Sequence, residues 1–142
     1  MIKFFNKMLR KSFDYSLYLL TLAFVSTILI VRTLVWSVES QHFPNEIYLF
    51  IGNTHIHHYT YGFLIISLAV IMISVMRELN QVMRNFLALL FGVGLALITD
   101  EFGMWVAFNK DYWNLTSKLA IFLTIAILLI ASWILSIKEK RR

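Results

Sequence analysis

Leu119-Ala-Ile-Phe-Leu-Thr-Ile-Ala-Ile-Leu-Leu-Ile-Ala-Ser-Trp-Ile-Leu-Ser-Ile137 is a run of 19 residues without a charge, and Thr124, Ser132 and Ser136 are its polar side chains. A helix of a water-soluble bundle shows a polar face, and this run has none. Crossing the hydrocarbon of a bilayer takes about 20 apolar residues as helix. Three further runs lie upstream of it. Residues 15–31 are uncharged and continue past Arg32 as 33–38; residues 59–76 form the second run. Residues 86–99 form the third, interrupted by Asp100 and Glu101 and resumed over 102–109. Hydrocarbon admits only helices or closed barrels, and none of these runs alternates as barrel strands do. The sequence therefore predicts an all-α membrane protein, one domain over residues 1–142. It is a four-transmembrane-helix bundle with spans near 14–37, 57–77, 85–108 and 116–138.

Composition agrees. Apolar residues make up 59% of the 142 and charged residues 15%, against roughly 45–50% and 25% in soluble domains. One proline and five glycines leave no room for a flexible linker. The absence of cysteine excludes a disulfide framework, a thiolate zinc site, an iron–sulfur cluster and a cysteine nucleophile. The net charge of +5 is explained by topology. Lys3, Lys7, Arg10, Lys11, Arg77, Arg84, Lys138, Lys140, Arg141 and Arg142, 10 of the 13 basic residues, fall on one side of the predicted spans. The positive-inside rule then places both termini in the cytoplasm of a multi-pass protein, here expected in a prokaryotic plasma membrane. The expected partner is the lipid bilayer, and nucleic acid is excluded. The first apolar run is too long for a cleaved signal peptide and lacks a small-x-small site. Ahead of it, Lys3, Lys7, Arg10, Lys11 and Asp14 share a helical stripe opposite Ile2, Phe5, Leu9 and Phe13. That is the pattern of an N-terminal amphipathic helix lying on anionic lipid.

All four histidines fall between residues 39 and 58, in a loop free of lysine and arginine. Its second half alternates weakly around Gly52-Asn53, a pair suited to a tight hairpin turn; an early start of span 2 capped by Asn53 or Thr54 competes with it. Spans 2 and 3 are antiparallel, so His55, His57 and His58 share an end with Asp100 and Glu101. Nine residues separate Asp100 from Asn109, which as continuous helix puts the acids about 13 Å inside the span. Asp100 lies on the stripe of Ala88, Gly92, Ala96 and Gly103, small residues that let helices approach closely, and so it is expected to face the bundle interior. Glu101 is rotated by about 100° from it.

His-x-His-His with nearby carboxylates offers nitrogen and oxygen donors suited to Zn²⁺, Fe²⁺, Mn²⁺ or Cu²⁺. The expected site comprises His55, His57, His58, Asp100 and Glu101, with Arg32 as charge partner. An open coordination position would give it the makings of a metal enzyme acting on a lipid or small molecule from the outer leaflet. In the plainer alternative the histidines bond loop backbone, and Arg32 pairs with an acid to hold a structural membrane subunit together. A third reading makes Asp100 the intramembrane ion or proton site of a small transporter or channel subunit. Four short spans enclose little volume, so that reading calls for a homo-oligomer or a membrane partner. Haem needs histidines on facing spans, and spans 1, 3 and 4 have none. Trp36, Tyr59, Tyr61, Trp105, Tyr112 and Trp113 read as an interfacial aromatic belt. Asn114-Leu-Thr116 fits the glycosylation acceptor pattern, relevant only in a eukaryotic secretory pathway.

The segments His55-Ile-His-His-Tyr-Thr-Tyr-Gly62, Gly92-Val-Gly94, Asp100-Glu-Phe-Gly-Met-Trp105 and Asp111-Tyr-Trp113 together resemble a group of small prokaryotic integral membrane proteins of no assigned activity. Those proteins pair a His-His segment before one span with an Asp-Glu-Phe segment late in the next. The resemblance covers roughly residues 53–115 and implies that histidines and acids form one site. It implies no named reaction.

Overall fold

The structure, a computed structural model, describes residues 2–42, 50–51, 54–106 and 111–140, with side chains from Tyr15 onward except at 50–51, 54–55, 136 and 138–140. Helix α1 runs over Ile2–Glu39, α2 over His58–Val75, α3 over Gln81–Asp100, α4 over Phe102–Val106 and α5 over Leu115–Lys140. Between α1 and α2, β1 (Phe50–Ile51) pairs antiparallel with β2 (Thr54–His55), Phe50 opposite His55 and Ile51 opposite Thr54. The two strands pair as hairpin arms, and α2 starts at His58 with no early turn. The amphipathic N-terminal stretch continues α1 without a break; its side chains lie outside the described residues.

Among the described residues four helices are long and apolar enough to cross a membrane: Tyr15–Glu39 within α1, α2, α3, and Leu115–Leu135 within α5. The 20 residues of α3 give about 30 Å of helix, the thickness of bilayer hydrocarbon. Helix α3 is central, packed on α1 and α2, while α5 lies against α1, α3 and α4. Phe24, Ile28, Ala96, Ile121 and Leu128 form the core where α1, α3 and α5 meet. Close approach depends on small residues. A Cβ on Gly62 would stand 2.7 Å from the Gly94 carbonyl oxygen, and one on Gly92 would stand 2.8 Å from the Ala23 Cβ.

Polarity is inverted relative to a soluble bundle. Leu22, Leu29, Leu64, Phe122, Ile127 and Trp133 point outward, whereas Asp100, Glu101, Thr99 and Ser117 are buried. Hydroxyls on the spans bond back to their own helix, as Thr21 does to the Leu17 carbonyl, Thr124 to Ala120 and Ser132 to Leu128. This satisfies them where lipid offers no partner. Asn80 caps α3 by accepting the Met83 amide, and Asn114 caps α5 by accepting the Ser117 amide.

One predicted span is corrected. Residues 85–108 do not form one helix: α3 ends at Asp100, Glu101 leaves helical geometry with φ −102° and ψ 14°, and α4 follows. The cause is tertiary. The Gly103 amide donates to the Ser117 Oγ at 2.9 Å, leaving the helical ladder for a side chain on α5. The acids therefore stand at the end of α3 rather than two turns inside a longer helix.

Candidate functional site

The C-terminal end of α3 presents two consecutive carboxylates to opposite neighbours. Asp100 is completely buried. Its Oδ1 accepts the Arg32 Nε–H at 2.8 Å, from α1. Its Oδ2 accepts the Tyr112 hydroxyl, from the turn before α5. The Arg32 guanidinium lies 5.5 Å from the Tyr112 ring centre and 5.3 Å from that of Trp113, a cation–π arrangement that shields the pair. Trp113 is itself tied to the end of α1, donating its Nε1–H to the Glu39 Oε2 at 2.7 Å. Burial, and after it the Asp100 carboxylate, raise the Tyr112 hydroxyl above the ordinary tyrosine range, so it remains a protonated donor. Tyr112 thus does not belong to the interfacial belt where composition places it. It is buried and closes the ion pair.

Glu101 turns the other way, toward the start of α2. Its Oε2 accepts the Tyr59 amide at 3.0 Å. Its Oε1 lies 3.0 Å from the His57 Nδ1 and 4.0 Å from the His58 Nδ1. The His57 side chain, at the N-cap position of α2, makes no capping bond of its own. Glu101 replaces it from the junction of α3 and α4. An anion at a helix N-terminus meets unpaired amides and the positive end of the helix dipole, which favours a buried carboxylate there. An ionised carboxylate only accepts, so in this contact the hydrogen belongs on the His57 Nδ1, which in a neutral imidazole makes Nε2 the acceptor nitrogen.

The structure brings together Arg32 with Asp100, and His57 and His58 with Glu101; it does not merge the two groups. Both Asp100 oxygens accept hydrogen bonds within the chain, one from Arg32 and one from Tyr112. The His58 Nδ1 and the Arg32 Nη2 are shielded and have no hydrogen-bond partner among the described residues. His55 lies on β2 with its side chain outside the described residues. His42, three residues past α1, stacks on Trp36 with ring centres 5.7 Å apart. Among the described residues no three His, Asp or Glu side chains form a ready-made metal cluster. Tyr112 and Ser117 are the partners that sequence reasoning missed; Tyr112 lies in Asp111-Tyr-Trp113, beside the acids in the resemblance.

Comparison of the chain with protein-family models, with curated proteins and with solved structures returns no match. Any function must therefore be argued from the site.

Proposed function

We propose that this four-span membrane protein binds a divalent cation at its outer face through the imidazoles of His57 and His58, with His55 as the third donor. In this reading Glu101 orients His57 and is not itself a ligand. The observation that carries it is the 3.0 Å contact of Glu101 with the His57 Nδ1. Histidines that bind metal commonly donate their other ring N–H to a carboxylate, which fixes the tautomer and raises the basicity of the coordinating nitrogen. The shielded His58 Nδ1 beside the same carboxylate supports a second imidazole in one cluster. Zn²⁺, Fe²⁺ and Mn²⁺ suit such donors. The outer location follows from the distribution of lysine and arginine.

Elemental analysis of the detergent-purified protein should find close to one metal per chain, lost in the His55/His57/His58 triple alanine variant. Glu101→Gln should keep the site but weaken its affinity about 10–100-fold, the usual effect of removing a carboxylate that supports a ligand histidine. Absence of metal from the parent after reconstitution with each of the three ions would overturn the proposal. A purely structural role is the second reading, favoured by the complete use of Asp100 within the chain. It predicts no metal in any variant.

A further inference from the structure

The end of α3 is a break without a local cause. Residues 98–104 include no proline, and Gly103 weakens a helix without ending it. Glu101, at the break, sits at φ −102° and ψ 14°, about 40° and about 55° from the helical values. The helical ladder has already resumed across it, because the Trp105 amide donates to the Glu101 carbonyl at 3.2 Å. The amides of Glu101 and Gly103 leave the ladder. The first turns back to the Thr99 carbonyl, and the second donates to the Ser117 Oγ at 2.9 Å. An unbroken helix would pair them four residues back, Glu101 with Leu97 and Gly103 with Thr99. What holds the bend is tertiary. On the α5 side, fully buried Ser117 takes the Gly103 amide and the Asn114 side chain packs against Gly103. On the α2 side, Phe63 stacks on Trp105 and the Tyr59 amide binds the Glu101 carboxylate.

We infer that α4 is a hinged flap, clamped between α5 and α2 in this structure and able to swing out about Glu101. In the swung form α3 and α4 join into one helix over residues 81–106. The exchange conserves hydrogen bonds. The Gly103 amide trades the Ser117 Oγ for the Thr99 carbonyl, and the Glu101 amide trades Thr99 for Leu97. In a membrane an amide without a partner is costly, so a one-for-one trade keeps the second form within reach. Straightening lifts Gly103 off Ser117 and Trp105 off Phe63. It thereby opens the end of the bundle between α2 and α5 beside Glu101, which the clamped form buries. The flap is a property of the fold and holds whether or not the histidines carry a cation.

The chain has no cysteine, so pairs of spin labels report the flap directly. One pair, Val82→Cys/Val106→Cys, spans α3 and α4. The other, Val106→Cys/Leu119→Cys, spans α4 and α5, and all three side chains are exposed. Double electron–electron resonance in detergent compares the parent with two releasing variants. Ser117→Ala removes the acceptor of the Gly103 amide. Gly103→Ala adds a Cβ that would overlap the Asn114 side chain, and it strengthens the helix locally. As unbroken helix, residues 82 to 106 span about 36 Å. In Ser117→Ala the first distance should lengthen toward that value, and the second should lengthen with it. Gly103→Ala should give the same two shifts, and it carries the test should Ser117→Ala fold poorly. Distances equal to the parent's in Ser117→Ala, or in Gly103→Ala where that variant replaces it, would overturn the inference. So would a first distance that stays or shortens while the second lengthens, because α4 would then have come loose without joining α3.

Discussion

Arg32→Leu is expected to destabilise the protein by about 3–5 kcal/mol, because it leaves the Asp100 carboxylate buried without its cation. Asp100→Leu should cost a similar amount by stranding Arg32 between α1 and the Tyr112–Trp113 turn. Combining the two should recover most of the loss, since neither charge is left without its partner and only the Tyr112 hydroxyl loses its acceptor. Tyr112→Phe should show a smaller effect of about 1–3 kcal/mol, the cost of leaving one Asp100 oxygen unpaired. Thermal or denaturant unfolding in a fixed detergent measures all four. Additive losses in the double variant would show that the pair does not hold α1, α3 and the α5 turn together.

Gly92→Leu carries the other large effect. A Cβ at this position already meets the Ala23 Cβ at 2.8 Å, and the longer side chain must push α1 away from α3. Overpacking of this kind costs roughly 1–3 kcal/mol, and the upper end applies here because the obstruction includes rigid helix backbone. Val82→Leu, outward-facing on the same helix, should be neutral. If both variants melt together, α1 and α3 are not in the close contact described.

The spans were legible because lipid imposes a length and excludes charge, a constraint that acts on each segment by itself. The inward aim of Asp100 was legible for a related reason. Ala88, Gly92 and Ala96 mark the face on which α3 meets its neighbours, and Asp100 continues that face. Gly52-Asn53 carried the hairpin signal but could not exclude an early helix, because a two-residue strand has little pattern of its own. The end of α3 was not legible. Nothing local to Asp100-Glu101-Phe102 stops a helix; it stops because Ser117 takes the Gly103 amide and Glu101 caps a different helix. Tyr112 was misplaced for the same reason. An aromatic near a membrane boundary resembles belt composition, and only the fold shows that its hydroxyl reaches Asp100. Among the described residues Asp100 is paired with Arg32 and Glu101 with His57, while the His55 side chain lies outside them, so the five-residue set is brought together only in part. Asp100 and Glu101 serve different neighbours.

The most direct test of the His57–Glu101 site is ¹⁵N NMR of the histidine imidazoles in detergent, with a His57→Ala variant for assignment, before and after addition of Zn²⁺. The account predicts that His57 carries its hydrogen on Nδ1, and that Zn²⁺ shifts the Nε2 resonance while the Nδ1 hydrogen stays in place. A His57 protonated at Nε2, or a spectrum unmoved by zinc, would contradict it.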